Sequence, residues 1–75
     1  MHSLDIQLRT PESIRAFVNL TNRYPFYILL QQGSASIDAK SLLGICSLDP
    51  SRPAKLIIYS DRCQELVDEL QHYLC

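Results

Sequence analysis

The first third of the chain shows two different spacings of apolar residues, which predict a strand followed by a helix. From Leu4 to Leu8, apolar and polar residues alternate, as is typical of a half-buried strand. Residues 10–12 (Thr-Pro-Glu) then predict a helix start, because they offer a hydroxyl N-cap, a proline at the first helical position and an acid in the first turn. Apolar residues at helical spacing follow, and Pro25 predicts that this helix ends near Arg23.

The rest of the chain predicts three further strands and two further helices. A strand from Phe26 to Gln32 is followed by a hairpin turn at Gly33 and Ser34. The remaining predicted elements are a strand over 35–38, a short helix over 40–48, a loop over 49–53, a strand over 55–60 and a final helix that starts near residue 60 and has one apolar face. The order βαββαβα predicts an α+β fold in which helices cover one face of a sheet and the other face stays open.

The size and composition of the chain predict one small globular domain over residues 1–75. A net charge of -1 argues against a nucleic-acid binder, which needs a clear basic excess. The longest apolar run, Phe26 to Leu30, is too short for membrane insertion. Asp5 and Arg9 interrupt the N-terminal region before a signal peptide could form, so a cytoplasmic protein is expected.

The cysteines and histidines predict no metal site, no cofactor and no disulfide framework. Cys46, Cys63 and Cys75 are an odd number without CxxC spacing, which favours a reducing compartment. The first two are expected to be buried or half-buried, and Cys75 to form at most an adventitious intermolecular disulfide in vitro. His2 and His72 are expected to be solvated surface residues, because neither has a Cys or His partner at ligand spacing.

The stretch 38–48 passes from a polar segment through Lys40 and Ser41 into a short apolar helix. With Leu42, Leu43 and a glycine after the serine, it resembles the regulatory-serine segment of HPr, the phosphocarrier protein of the bacterial sugar phosphotransferase system. The order of the predicted elements is also that of HPr, and the resemblance covers nearly the whole chain. It implies an HPr-like two-layer open-faced sandwich, with a four-stranded antiparallel sheet and three helices on one face.

The resemblance makes Ser41 the equivalent of the family's regulatory serine, which a dedicated kinase phosphorylates in many Gram-positive bacteria. Serine is also a favoured helix N-cap, an interaction worth roughly 1 kcal/mol. Both interpretations, a phosphorylation site and a structural cap, stay open from the sequence. Phosphate at this position would lie at a helix N-terminus, where its charge is locally stabilised.

The start of the first helix departs from the family pattern. HPr has a Gly-x-His-x-Arg-Pro type sequence there, and its histidine carries the phosphoryl group. Counting back from Tyr24, which resembles an aromatic of many family members, places Thr10 at the histidine position and Glu12 at the arginine position. Thr10 cannot replace imidazole in fast reversible phosphoryl transfer, and Glu12 repels an incoming anion. No shift of this count recovers a histidine, because the chain has only His2 and His72.

These departures favour a non-catalytic regulatory or adaptor protein linked to the sugar phosphotransferase system, not an enzyme, with Ser41 as its switch. Natural family members that lack the histidine and keep the serine, such as the catabolite-repression HPr-like protein of bacilli, are partners of a transcriptional regulator. By resemblance, the expected partners are phosphotransferase-system components, a serine kinase or a transcriptional regulator. The expected partner surface comprises Lys40, Leu42, Leu43 and Arg15.

Two alternative functions stay open. One is an unconventional phosphocarrier that uses another residue in place of the histidine. The other is a structural protein-interaction module that has kept only the HPr fold.

The open face of the sheet offers a second candidate surface. If alternate residues of the second and fourth strands face the helices, the period of two sends Tyr27, Leu29, Ile57 and Tyr59 to the open face. These two strands are neighbours in the HPr arrangement, so the four side chains would form one apolar patch. Such a patch favours a protein partner or a homodimer, whereas scattered apolar surface residues need no explanation.

Overall fold

The computed structural model describes residues 1–74 and confirms the predicted α+β architecture. Within these residues it contains four strands, three α-helices and a C-terminal 3₁₀ helix. In chain order they are β1 (His2–Ile6), α1 (Pro11–Thr21), β2 (Ile28–Gln32), β3 (Ala35–Asp38), α2 (Leu42–Ile45), β4 (Ala54–Ile58), α3 (Gln64–Glu69) and the 3₁₀ helix (Leu70–Tyr73). None of the helices in residues 1–74 is both long enough and apolar enough to span a bilayer.

The four strands form one antiparallel sheet in the order β1-β4-β2-β3. The central strands pair Ile28 with Ile58 and Leu30 with Leu56. Leu56 also pairs with Leu4 of β1, so one row of apolar side chains crosses three strands. Because β4 enters the sheet between β1 and β2, residues that are distant in the chain become neighbours on both faces of the sheet.

The core lies between one face of the sheet and the helices. Ile28, Leu30, Leu56 and Ile58 alternate along β2 and β4 and are fully buried. Fully burying a side chain of this size contributes about 1.5–3 kcal/mol. The helices contribute fully buried apolar side chains to the same cluster, among them Phe17, Leu66 and Leu70. The alternation of residues predicted for the second and fourth strands therefore correctly identified the face of the sheet that packs against the helices.

The helices α1 and α2 are shorter in the structure than predicted, and side chains bond to the backbone at the end of α1 and before α2. At the end of α1, the Thr21 hydroxyl and the Asn22 amide both donate to the Val18 carbonyl, at 3.1 and 2.8 Å. Before α2, the Asp38 carboxylate accepts from the backbone N–H of Lys40 at 2.9 Å. This turn delays the helix until Leu42.

The final helix begins later than predicted and changes its form in the last turn. The Ser60 hydroxyl accepts from the Arg62 N–H at 3.0 Å, which keeps residues 60–62 in a turn. The helix α3 therefore starts at Gln64, and it tightens into the 3₁₀ helix from Leu70. The predicted apolar face is buried through Leu70, whereas Leu74 at the end of the chain's described part is exposed.

Candidate functional site

Ser41 is the N-cap of α2. Its extended backbone conformation precedes the first helical residue, and its hydroxyl oxygen accepts from the Gly44 N–H at 3.2 Å. The capping interpretation of Ser41 is thereby confirmed, whereas its phosphorylation stays a prediction. The residue is half-buried, so its hydroxyl lies at the edge of the molecular surface.

Lys40 is held against the end of α1. Its ammonium donates to the Tyr24 carbonyl at 2.6 Å, and its own carbonyl accepts from the Asn22 amide at 3.2 Å. The ammonium thus bonds to the backbone of the segment that follows α1. The predicted partner residue Lys40 therefore has an internal structural contact through the same ammonium group.

Leu42 and Leu43 present apolar surface next to Ser41, and we call these three residues the α2 surface. Leu42 is 42% exposed, and Leu43, at 85%, is the most exposed large apolar side chain among residues 1–74. A four-residue helix that leaves a leucine this exposed gains little folding energy from it. An apolar side chain in this position is available to a protein partner.

Arg15 is an exposed residue of α1. It lines a pocket together with Leu42, Ile45 and Cys46 of the α2 region. Neither Lys40 nor Ser41 lines that pocket. The four predicted partner residues therefore do not form one group. Leu42 and Arg15 share the pocket wall, Lys40 contacts the end of α1, and Leu43 is exposed outside the pocket lining.

The predicted degenerate phosphocarrier loop is closed by a reciprocal capping box. The Thr10 hydroxyl accepts from the Ser13 N–H at 3.1 Å, and the Ser13 hydroxyl accepts from the Thr10 N–H at 3.1 Å. Ser13 is therefore the second half of the cap. Glu12 is exposed in the same turn. The box engages the N–H groups of Thr10 and Ser13, and Glu12 adds a negative charge, which disfavours phosphate there.

His72 is exposed, as predicted, but the fold brings it next to the start of α1. It lines a shallow recess with residues of the β1–α1 connection, namely Gln7, Arg9, Thr10 and Ser13. The cause is the pairing of the C-terminal segment with the end of β1, where the Gln7 N–H donates to the Tyr73 carbonyl at 2.9 Å. His72 and the start of α1 are more than fifty positions apart in the chain, so no local sequence pattern could predict that they lie close together.

The outer face of the sheet carries the predicted apolar cluster, which we call the outer patch: Tyr27, Leu29, Ile57 and Tyr59. Leu29 and Ile57 are direct cross-strand partners. The rings of Tyr27 and Tyr59 lie 5.3 Å apart between centroids and are 50% and 45% exposed. The structure therefore brings all four side chains together on one face, and their role as a binding surface stays a prediction.

The cysteines differ in environment. Cys63 is buried, as predicted, but the expectation that Cys46 is buried or half-buried is wrong, because this residue follows the buried Ile45 at the C-cap of α2 and faces outward. The prediction for Cys75 lies outside the described residues. Among residues 1–74, no group of three or more His, Cys, Asp or Glu side chains is arranged to hold a metal ion.

The fold is similar to that of solved HPr structures. HPr-C-His from Thermoanaerobacter tengcongensis superposes with a TM-score of 0.78 at 23% sequence identity, over 93% of this chain and 86% of that one. A phosphocarrier protein HPr from Bacillus anthracis str. Ames superposes with a TM-score of 0.71 at 20% identity, over 99% of this chain and 94% of that one. No family model matches the sequence, and no curated protein matches it. The comparisons establish that the chain has the HPr fold.

Proposed function

We propose that this HPr-fold protein is a non-catalytic regulatory or adaptor protein of the bacterial sugar phosphotransferase system. It binds a protein partner through the α2 surface and is switched by phosphorylation of Ser41. The observation that best supports this function is the closed capping box of Thr10 and Ser13 at the start of α1. The count from Tyr24 places Thr10 at the histidine position of the family that the sequence resembles. The exposed Leu42 and Leu43 beside Ser41 supply the apolar part of a binding surface.

The switch is a transfer of one phosphoryl group from ATP to the Ser41 hydroxyl. A bond forms between the Ser41 Oγ and phosphorus, the bond to the ADP oxygen breaks, and the hydroxyl proton passes to a base on the kinase. The product adds a charge of about -1.5 to -2 at neutral pH, directly before Leu42. Its oxygens replace the hydroxyl as acceptors for the Gly44 N–H, so the cap of α2 is kept while the charge of the α2 surface changes.

Incubation with the serine kinase that phosphorylates HPr, together with labelled ATP, tests the switch. We expect one acid-stable label per chain in the wild type and none in Ser41→Ala. Ser47→Ala is the matched control, because Ser47 is an exposed serine close to the other end of α2, and this variant should be labelled like the wild type. An unlabelled wild type, or a label that persists in Ser41→Ala, contradicts the proposed switch.

One observation favours a second candidate function, that of an unconventional phosphocarrier. His72 lies in the recess with Arg9 and Thr10, so an imidazole and a cation border the start of α1 even though the local sequence lacks a histidine. In this alternative, an imidazole nitrogen of His72 forms a bond to phosphorus as the donor protein's bond to the same phosphorus breaks. Arg9 would offset the phosphate charge, and Glu12 opposes it.

Labelled phosphoenolpyruvate with the general phosphotransferase enzyme distinguishes the two candidates. The adaptor function predicts no acid-labile label on the wild type. The phosphocarrier function predicts such a label, its loss in His72→Gln and its retention in the control His2→Gln. Acid-labile label with that pattern contradicts the adaptor function and supports the alternative.

A further inference from the structure

A pocket of about 320 Å³ lies between α1, α2 and the loop after α2. This volume is at the lower end of the range found for small-molecule sites. Ile6, Leu8 and Ala54, from the region of β1 and β4, contribute to its lining. The pocket is therefore a built feature of the fold, formed by three separate parts of the chain.

The lining of the pocket is mainly apolar. Ile14 contributes from α1, and Leu42 and Ile45 contribute from α2. The walls belong to elements that pack on the sheet, so an apolar ligand would meet preformed surface. Burial of such a ligand gains roughly 25 cal/mol per Å² of apolar area removed from water.

Two arginines, Arg15 and Arg52, give the pocket a polar side. The ion pairs found within residues 1–74 involve neither of them. Asp49 also lines the pocket, but its carboxylate already accepts from the Ser51 N–H and hydroxyl, at 2.9 and 2.7 Å. The lining therefore has two cations against one anion. That anion accepts two hydrogen bonds from Ser51 and also lies within the influence of the Arg52 charge, so the pocket keeps a net positive charge.

Gln32 also lines the pocket, and its side-chain amide is fully hydrogen-bonded to the backbone of the loop after α2. Its nitrogen donates to the Asp49 and Arg52 carbonyls at 2.9 and 3.1 Å, and its oxygen accepts from the Asp49 N–H at 2.8 Å. These bonds fix the loop to the end of β2 and hold Arg52 at the pocket. The charged groups left to recognise a ligand are the two guanidinium groups.

We propose that this pocket binds a small amphipathic carboxylate, with its hydrocarbon part among the apolar side chains and its carboxylate at Arg15 and Arg52. Guanidinium groups favour carboxylates because they pair with both oxygens through parallel hydrogen bonds. The site does not depend on Ser41 or on any phosphoryl transfer. Because Leu42 belongs to both the pocket wall and the α2 surface, an occupied pocket alters the surface offered to a protein partner.

Titration of the ¹⁵N-labelled full chain with octanoate, monitored by NMR, tests the site. Octanol and octylammonium are the matched probes, with the same hydrocarbon chain and a neutral or positive headgroup. We expect saturable shifts at Ile14, Ile45 and Cys46, and at least about tenfold tighter binding of octanoate than of octanol, since hydrogen bonds to charged groups are stronger than those between neutral groups. The double variant Arg15→Gln/Arg52→Gln should lose this preference. The control Arg62→Gln, at an exposed arginine outside the lining, should keep it.

Alkylation of Cys46 provides a second readout of the same event. Cys46 lines the pocket and is exposed. The tryptic peptide of residues 41–55 contains Cys46 as its single cysteine. Octanoate should slow iodoacetamide labelling of this peptide, and octylammonium should not. Equal binding of octanoate and octanol, non-saturable shifts, shifts centred on the outer patch, or an unchanged alkylation rate would each overturn the proposal.

Discussion

At the scale of single residues, Gly44 shows how closely α2 packs on the sheet. A Cβ atom placed on Gly44 would lie 2.5 Å from the Cγ2 atom of Ile37 and 3.3 Å from the Ser41 Oγ. At Gly33 the constraint comes from the backbone and not from packing. Its φ of +60° lies in the left-handed region, which glycine tolerates best, and nothing lies within 4 Å of an added Cβ. One glycine is required by packing and the other by backbone conformation.

We predict that Gly44→Ala lowers the free energy of unfolding by about 1–3 kcal/mol, because α2 must move away from β3 to accept the methyl group. Urea unfolding followed by circular dichroism measures the change. Gly33→Asn is the control, since asparagine tolerates a positive φ and meets no neighbour, and it should cost much less. A Gly44→Ala protein as stable as the wild type would contradict the close packing of α2 on Ile37.

The Thr10–Ser13 box is the residue-scale feature that bears most on function. Its two reciprocal hydrogen bonds use the donors that an anion would otherwise bind. The sequence predicted Thr10 as a cap but not the contribution of Ser13, because the motif more often has Glu or Gln at that position. The start of α1 therefore holds a stabilising cap that already engages the N–H groups of Thr10 and Ser13.

At the scale of elements, the sequence predicted the identity and order of the strands and helices, and side chains at their ends decided the boundaries. Alternation identified β1, and the content of β-branched, aromatic and aliphatic residues identified β2. Thr10 with Pro11 identified the first residue of α1. The turn at Asp38 shortened α2, and the Ser60 turn delayed α3. Such hydrogen bonds depend on local geometry that a periodic pattern does not report.

The turn that begins at Asp49 gives a pH-dependent test at this scale. Hydrogen bonds from the Ser51 hydroxyl and N–H hold the pKa of Asp49 below its ordinary value, and the Arg52 charge adds to this effect. A carboxyl whose pKa is lower in the folded chain stabilises the fold above its unfolded pKa of about 3.9. That contribution is lost as the pH falls through the lowered folded value.

We predict that Ser51→Ala raises the pKa of Asp49 toward its ordinary value, because the first of the two hydrogen bonds is removed. An NMR titration of the Asp49 carboxyl measures this directly. Ser36→Ala, at an exposed serine on β3, should leave the titration unchanged. An Asp49 pKa that is the same in Ser51→Ala and in the wild type would show that the Ser51 hydroxyl has no such effect.

At the scale of the whole molecule, the fold brings together residues whose proximity could not be predicted from the sequence alone. The recess that His72 lines and the pocket that Arg15 and Arg52 line both join segments that are far apart in the chain. The outer patch is the exception, since strand alternation and the HPr arrangement together predicted all four of its members. Polar residues border it: Leu29 pairs with Asp38 and Ile57 with Ser3, and the next row pairs Lys55 with Asp5.

We propose that the outer patch mediates self-association, because it is apolar at its centre and has both charge signs at its border. Two copies packed face to face could therefore pair Lys55 with an aspartate of the other copy. A stable interface buries about 800 Å² per partner, so the polar border must take part as well.

Sedimentation velocity over a concentration series should show reversible dimers for the wild type and monomers for Tyr27→Lys/Ile57→Lys. Ser36→Lys, on the same face but outside the patch, should dimerise like the wild type. A wild type that stays monomeric over the whole series would contradict self-association.

At this scale we propose that the HPr-fold chain works as a binding protein switched at Ser41. The most direct measurement is calorimetric titration of the transcriptional regulator that binds serine-phosphorylated HPr, using this chain with and without phosphoserine at position 41. We predict at least about tenfold tighter binding of the phosphorylated chain, from new charge-assisted hydrogen bonds, and loss of that binding in phosphorylated Leu43→Glu. Equal affinity of the two forms, or full affinity in Leu43→Glu, would contradict a partner-binding function switched at Ser41.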